Sequence, residues 1–216
     1  MITHRGARDC CPLLDNTTTQ TQYVYQTNVF GPMRLVQLLV PSLISTRGLI
    51  INISSASARI PYLFGGVYSS SKAALDNWTS VLRMELRPFH VRVMLSVTGT
   101  VMSANTKRDG ELPANSLYKA VEDKYKWRLG YSQTKKTMPR ETFAKRLVDA
   151  AEKGEGWLGG LIGGTPYDFW EGGMTPLIWT ATTFLPKWLC EWVTWRHFGL
   201  FEMARRIQAA RSKRIE

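Results

Sequence analysis

Runs of apolar residues with two different periods divide this chain into alternating strands and helices. Short runs rich in β-branched residues, such as Leu49–Ile53 after Gly48, are typical of strands that are buried on both faces. They predict strands near residues 48–54, 91–97 and 156–161. Apolar residues at helical spacing, such as Leu75, Trp78 and Leu82, predict helices near residues 28–45, 68–87 and 140–153. This alternation predicts an α/β fold with a parallel sheet.

Three side chains suited to carbonyl chemistry follow the first of these strands. Ser55 comes at the carboxyl end of the strand, which is where open α/β sheets bind ligands. Tyr68 and Lys72 are four residues apart, so they share one face of the next helix. Pro61 and the pair Gly65-Gly66 supply the turn between strand and helix. Tyr-x-x-x-Lys alone is a weak signal, because an ordinary helix with a solvated lysine has the same spacing. The complete order favours carbonyl reduction.

The side chains of Ser55, Tyr68 and Lys72 can act together on one carbonyl group. One carbonyl oxygen could meet a hydroxyl, a phenol and an ammonium at this place. A phenol is a poor proton donor and acceptor at neutral pH unless a neighbouring cation stabilises its phenolate form. Lys72 can supply that cation to Tyr68.

This segment resembles the active-site core of the short-chain dehydrogenase/reductase family. Residues 27–31 (Thr-Asn-Val-Phe-Gly) resemble the family's Asn-x-x-Gly helix. The resemblance implies a catalytic tetrad of Asn28, Ser55, Tyr68 and Lys72, in which the asparagine completes a water-linked proton relay. Ser55 would polarise the substrate oxygen and Tyr68 would give the proton. Lys72 would assist the phenol and bind the nicotinamide ribose.

The residues after the second strand match the family's nicotinamide-side loop. This loop is usually Pro-Gly-x-Val-x-Thr, and residues 98–103 read Thr-Gly-Thr-Val-Met-Ser. The resemblance implies cofactor contacts from Thr98, Gly99 and Val101, together with Asn28, Tyr68 and Lys72. The threonine at 98 and the Trp-rich C-terminal segment are similar to fungal 1-acyldihydroxyacetone-phosphate reductases, which use NADPH. NADPH is therefore expected. NADH stays open, because the residue that senses the ribose 2′ position has no counterpart.

The turn that binds the cofactor pyrophosphate is not found in the sequence, and the resemblance covers about residues 12–165. No Thr-Gly-x-x-x-Gly-x-Gly occurs, and residues 1–9 do not resemble the family's Asn-Asn-Ala-Gly strand. The glycine pairs at 159–160 and 163–164 are interpreted as a strand and turn. We therefore expect a Rossmann-like, doubly wound parallel sheet that is N-terminally truncated. Its apolar edge would favour association, including a homo-oligomer.

The last fifth of the chain has a different character. We predict that residues 1–168 form the C-terminal part of a Rossmann-type catalytic domain, with its core at 28–103 and a substrate loop at 103–139. Residues 169–216 form a Trp-rich, basic extension with Trp170, Trp179, Trp188, Trp192 and Trp195. No apolar run reaches the roughly 18 residues that a spanning helix needs. The extension predicts a peripheral anchor at the endoplasmic reticulum or a lipid droplet. The alternative is that its aromatic side chains line a pocket or pack on the core of a cytoplasmic protein.

The formal net charge of +11 requires a partner or a structural reason. Basic residues cluster at 124–128, 135–136 and 205–214. An anionic lipid surface or a phosphate-bearing substrate is favoured over nucleic acid, because no nucleic-acid-binding motif accompanies the charge. Solvated basic helix ends explain the clusters equally well.

Cysteine and histidine supply little further chemistry. Cys10, Cys11 and Cys190 are too few and too irregular for a disulfide framework, which favours a reducing compartment. No metal site is predicted, because the three histidines are scattered.

Two classes of function stay open. The first is an NAD(P)H-dependent reductase of a lipophilic ketone, such as 1-acyldihydroxyacetone phosphate, a sterol, a retinoid or a polyketide. The second is a non-catalytic remnant of that family that acts at a membrane surface.

Overall fold

The computed structural model of the chain describes residues 1–3, 10–102, 110–134, 137–157 and 162–212. Four parallel strands form one sheet in the order β1-β2-β3-β4. They are β1 Ile2–Thr3, β2 Leu49–Ile53, β3 Arg92–Thr98 and β4 Asp168–Glu171. In register, Ile51 lies beside Met94, and Thr98 lies beside Glu171. The carboxyl ends of β2, β3 and β4 therefore meet along one edge of the sheet.

Eight α-helices accompany the sheet in the described part of the chain. They are α1 Thr18–Tyr25, α2 Gly31–Ser45, α3 Gly66–Leu86, α4 Glu122–Thr134, α5 Arg140–Ala151, α6 Thr175–Phe184, α7 Lys187–His197 and α8 Leu200–Ser212. Residues Gln26–Phe30 form a π-helical turn that joins α1 to α2. The predicted helices at 68–87 and 140–153 are confirmed as α3 and α5. The one predicted at 28–45 is confirmed as α2 with part of the π turn.

Helices cover both faces of the sheet. Ile50 and Val93 point to the face where α2 and α3 pack, together with Val36 and Leu82. Ile51 and Met94, one residue further along each strand, point to the other face, where α5 contributes Leu147 and Ala150. This alternation follows from the two-residue period of a strand. The fold is therefore Rossmann-like α/β, as the pattern of strands and helices predicts.

The amino terminus is part of the sheet, although its sequence does not resemble the family's Asn-Asn-Ala-Gly strand, and residues 4–9 lie outside the described residues. Ile2 and Thr3 pair in parallel with Ile51 and Asn52. The Thr3 hydroxyl donates to Asn52 Oδ1 at 2.7 Å, and Asn52 Nδ2 donates to Thr79 Oγ1 at 2.9 Å. A two-residue strand is too short to show a period, so the pattern of apolar residues could not reveal it.

The last strand also differs from the prediction near 156–161. Residues 158–161 lie outside the described residues, and Trp157 makes an isolated antiparallel bridge with Ile162. The strand that pairs with β3 is instead Asp168–Glu171. Only its two central residues, Phe169 and Trp170, are apolar, and charged residues flank them. Such a short run lacks the pattern of a buried strand. β4 also lies across the boundary proposed between residues 168 and 169.

The C-terminal helices pack on the rest of the fold through a few buried side chains. Phe198 is buried, with its ring centroid 5.6 Å from Tyr62 and 5.6 Å from Tyr131. Met203 joins a buried cluster with residues of α4. Arg206 forms a bidentate ion pair with Asp123. Among the residues that the structure describes, no helix combines the length and apolarity that crossing a membrane requires.

Candidate active site at the carboxyl edge of the sheet

Ser55 lies just beyond the end of β2. It caps a short turn at Ala56–Ala58, and its Oγ accepts hydrogen bonds from the backbone N and the Oγ of Ser57, at 3.3 and 3.0 Å. Ser55 is half-buried, whereas the neighbouring Ser54 is buried and donates its hydroxyl to Asp76. Of these two serines, Ser55 is therefore the one that a substrate can reach.

Tyr68 and Lys72 both lie in the amino-terminal half of α3. Tyr68 is half-buried, and Lys72 is only 4% exposed. The Lys72 Nζ lies 5.9 Å from the centroid of the Tyr68 ring and donates to the carbonyl oxygen of Ile53 at 2.8 Å. Ile53 is the last residue of β2 and precedes Ser55 by two positions. The ammonium therefore joins the strand that carries the serine to the helix that carries the tyrosine.

Asn28 is fully buried in the π-helical turn. Its Nδ2 donates to Ser71 Oγ at 2.9 Å, and the Ser71 hydroxyl donates to the carbonyl oxygen of Tyr68 at 2.7 Å. π-helical turns are rare and frequently occur at functional sites. The turn directs Asn28 toward α3, so the four predicted catalytic residues belong to one connected region. The sequence did not single out Ser71.

The loop that follows β3 is held by backbone bridges on two sides. Thr100 exchanges hydrogen bonds with Gly173, at 3.0 and 2.9 Å, and Val101 bridges to Met138. A Cβ on Gly99 would collide with the carbonyl oxygen of Gly173 and lie 2.7 Å from Thr175 Cγ2. Thr98 contacts Ser96 through its hydroxyl, at 3.1 Å. The structure therefore places Thr98, Gly99 and Val101 at the same edge of the sheet as Ser55.

A charged network beneath this edge was not predicted. Arg59 contacts Asp76 at 2.8 Å and Asp168 at 3.1 Å, and Arg83 also contacts Asp168. Burial raises the pKa of Asp76 above its ordinary value of 3.8, while the Ser54 hydroxyl and the Arg59 cation oppose that rise. Burial also lowers the pKa of Arg83, against the effect of Asp168. The network ties α3 to β4. No local sequence pattern predicts this network, because its members are up to 109 residues apart along the chain.

Comparison with known proteins identifies the family of this chain. The model of the short chain dehydrogenase family matches residues 2–112, so the match begins and ends earlier than the expected range of about residues 12–165. The chain belongs to the short-chain dehydrogenase family. The match to residue 2 agrees with the pairing of β1 in the sheet, and the family's members are oxidoreductases.

Two fungal relatives illustrate the range of the family. The short-chain dehydrogenase RED1 of Pyricularia oryzae is 32% identical over 191 residues, which are 86% of this chain and 63% of the relative. The NADPH-dependent 1-acyldihydroxyacetone phosphate reductase of Saccharomyces cerevisiae is 28% identical over 194 residues, covering 88% and 62% of the two chains. The chain therefore spans less than two thirds of the length of either protein.

Solved structures agree on the fold. A short-chain dehydrogenase from Streptomyces avermitilis superposes with a TM-score of 0.67 at 22% identity, over 91% of this chain and 68% of the other. A short chain dehydrogenase from Burkholderia cenocepacia, solved in complex with NADP, gives a TM-score of 0.58 at 20% identity, over 87% and 65%. At these identities the similarity concerns the fold alone.

Proposed function

We propose that this chain carries the proton-transfer residues of a nicotinamide-dependent reductase that acts on the ketone of a lipophilic substrate. The central observation is the position of Lys72. Its buried ammonium binds the last carbonyl of β2 and lies beside the ring of Tyr68. A cation at this position can stabilise the negative charge that develops on the Tyr68 oxygen as its proton is transferred.

The residues divide the work of reduction between them. Ser55 donates a hydrogen bond to the ketone oxygen and polarises the carbonyl. As hydride reaches the carbonyl carbon, the oxygen gains negative charge and takes the proton of the Tyr68 hydroxyl. Lys72 stabilises the resulting phenolate. Asn28 holds α3 in place through Ser71. Its part in a water-linked proton relay is proposed from the resemblance to the family. Oxidation of an alcohol uses the same groups in reverse.

The proposed cofactor is NADPH, which supplies the hydride when it is bound. Asn28, Tyr68, Lys72, Thr98, Gly99 and Val101 would hold its nicotinamide side. The residues present fit this group, because a buried ammonium and a phenol can donate to ribose hydroxyls at the edge where β2 and β3 end. The name of the yeast reductase favours NADPH over NADH.

A lipophilic ketone is the proposed substrate, with 1-acyldihydroxyacetone phosphate as the leading candidate from the yeast relative. Residues 28–103 would form the catalytic core and residues 103–139 the substrate loop, which contains α4. Residues 169–216 would hold the protein at the endoplasmic reticulum or a lipid droplet. Their exposed tryptophans support a lipid-rich location for the reaction.

Association with a second copy stays a prediction. β1 is the outermost described strand on its side of the sheet, and Ile2 is exposed there. A parallel strand with an open edge favours pairing with another chain or segment.

A non-catalytic role at a membrane surface is the second candidate. It is favoured by one sequence observation, since the 216 residues contain no Thr-Gly-x-x-x-Gly-x-Gly turn. Without that turn the residues at the sheet edge cannot by themselves position a hydride donor.

The experiment begins with fluorescence titration of NADPH against the 216-residue chain, for which we expect little or no saturable binding at micromolar concentrations. Catalysis is then measured in a chain preceded by a strand, a Thr-Gly-x-x-x-Gly-x-Gly turn and a helix. Tyr68→Phe should lower turnover at least about 10²-fold while NADPH binding is largely kept. Lys72→Ala should damage both.

Tyr25→Phe is the matched control. Tyr25 lies in α1 and donates to Ser70, so it loses a hydroxyl close to the site without a proposed role in catalysis. Its turnover should stay near that of the unmodified chain. Near-normal turnover of Tyr68→Phe on an accepted ketone would refute the mechanism. Absence of ketone-dependent NADPH oxidation in the extended chain would favour the non-catalytic role.

A further inference from the structure

The turn between α6 and α7 carries an exposed apolar tip. α6 ends at Phe184 and α7 begins at Lys187, so only Leu185 and Pro186 join them. The two helices pack together where the Cys190 thiol meets the carbonyl oxygen of Ala181, at 3.6 Å. Phe184 is 69% exposed and Trp188 is 67% exposed. Both residues lie within two positions of the link, so large exposed apolar side chains flank the turn on either side and mark it as a candidate interaction surface.

The composition of the hairpin indicates what kind of surface it meets. Residues 172–186 contain no charged side chain, whereas residues 187–212 contain five basic and two acidic ones. The exposed apolar tip therefore lies next to a segment with net positive charge. This arrangement suits an apolar layer with an anionic boundary better than it suits a second protein surface.

The exposed side chains are also ordered by their distance from the turn. Phe184 and Leu185 lie at the turn itself. Trp179 and Trp192 lie six residues from the two-residue link on either side, which is about 9 Å along a helix. Arg196 lies further from the turn along α7, with its Cζ 6.0 Å from the centroid of the Trp192 ring. A bilayer presents the same order from acyl chains to the carbonyl level, where tryptophan accumulates, and then to the phosphates.

The one cation at the tip does not oppose this order. The Lys187 side chain, at the start of α7, is 86% exposed, and its Nζ lies 3.8 Å from Glu191 Oε1. A lysine stem is long enough to lie along apolar surface while its ammonium reaches the headgroups.

The opposite face of the hairpin borders the candidate active site. Ile178 of α6 packs against the cluster of Ala56, Leu95 and Val97, and Ala56 follows Ser55 directly. Thr175, the first residue of α6, lies against Gly99. One helix therefore separates an exposed apolar surface from the edge of the sheet where the chemistry is proposed.

We propose that the α6–α7 tip, centred on Phe184, Leu185 and Trp188, inserts into a phospholipid surface, with Phe184 and Leu185 reaching the upper acyl chains. The insertion places the carboxyl end of α6 in the lipid, while the amino end of the same helix lies against the carboxyl edge of the sheet. A lipophilic ketone could then reach Ser55 and Tyr68 along α6 without crossing water, a step that rests on the proposed function. The contact is narrower than the whole of residues 169–216, because Phe198 and Met203 are buried and Arg206 is engaged with Asp123.

The test is sedimentation of the full chain with phosphatidylcholine vesicles, with and without phosphatidylserine. The wild-type chain should sediment with both, and more strongly with phosphatidylserine at low salt. The double variant Phe184→Ser, Trp188→Ser should partition at least about tenfold less, because two large apolar side chains no longer enter the interface. Phe184→Leu with Trp188→Phe should keep most of the binding. Circular dichroism should be the same for all variants, since both positions are exposed.

A matched control removes apolar surface elsewhere. Leu35 and Leu38 are exposed on α2, and the double variant Leu35→Ser, Leu38→Ser should sediment like the wild-type chain. The proposal is overturned if the wild-type chain stays in the supernatant, or if the tip variant sediments as well as the wild type. It is also overturned if the tip variant converts a dimer to a monomer and vesicle binding is absent. None of these measurements uses cofactor or ketone, so their outcome is independent of the proposed reduction.

Discussion

Two regions of the molecule place their side chains in opposite ways. The first region is β2 with α3, and the second is formed by helices α6, α7 and α8. The first buries Asn52, Ser71 and Thr79, and each of these three side chains has a hydrogen-bond partner. The second exposes large aromatic groups such as Trp188 and Phe184. Burying polar groups is costly unless they are paired, and exposing aromatic groups leaves apolar area in water. The paired polar groups of the first region are an ordinary buried arrangement, whereas the exposed aromatic groups of the second mark a candidate contact surface.

One buried ring in the C-terminal region allows a direct test of this comparison. Among the exposed rings of the C-terminal helices, Phe198 is buried between Tyr62 and Tyr131. Phe198→Ala should lower the free energy of unfolding by about 3 kcal/mol, because the ring leaves a cavity that its neighbours cannot fill. Trp188→Ala, the matched exposed position, should change it by less than about 0.5 kcal/mol. Urea denaturation of both variants gives the values. Equal losses would contradict the division of these helices into a packed side and a contact side.

A second change concerns the loop after β3, which lies against the start of α6. Gly99 lies against Gly173 and Thr175, so Gly99→Ala should destabilise the protein by about 2 kcal/mol as the backbone moves to admit the methyl group. Gly130 in α4 has nothing near the position of an added Cβ, so Gly130→Ala should stabilise it by about 0.5–1 kcal/mol. Thermal unfolding measures both shifts. If the two variants shift the midpoint in the same direction, the close approach of residues 172–175 to the nicotinamide-side loop is wrong.

The smallest expected effect is a pH dependence from Asp76. Burial raises the pKa of this carboxyl in the folded protein, so the folded state holds its proton more tightly than the unfolded chain does. The contribution of this group to stability is therefore fully present below the ordinary value of 3.8 and is lost as pH rises through the folded pKa. Asp76→Asn should remove this component from the curve of unfolding free energy against pH. Parallel curves for the two proteins would contradict this prediction. They would show that the contacts with Ser54 and Arg59 fully offset the effect of burial on the pKa of Asp76.

How far the sequence could predict the fold differs between elements for physical reasons. β2, β3, α3 and α5 each carry enough apolar residues for a period to show, and each was predicted within a few residues of its observed bounds. β1 and β4 contain two apolar residues or fewer, so their pairing depends on partners far along the chain. α1 is mostly polar and shows no apolar period. Its capping box, in which Thr17 and Gln20 each bind the other's backbone N–H, was the signal that could have revealed it.

The candidate site divides in the same way. Ser55, Tyr68 and Lys72 fall within 18 residues, so the spacing along one strand, loop and helix was enough to group them. Asn28 required the resemblance to a family. The contacts of Asn28 with Ser71 and of Arg59 with Asp168 join segments 43 and 109 residues apart, and no local pattern encodes which partner each side chain finds.

In the π-helical turn at Gln26–Phe30, the number of residues matters as much as their identity for the orientation of Asn28. Such a turn holds one residue more than an α-helical turn, and the surplus residue is accommodated without breaking the helix. Loss of any single residue from this turn would let α1 run into α2 as one regular helix. Every side chain on the amino-terminal side would then rotate by about 100° relative to the carboxyl-terminal side. Asn28 would no longer face Ser71, even though every remaining amino acid was unchanged. Among variants of this chain, one-residue deletions between 26 and 30 should therefore be rarer than substitutions at the same positions.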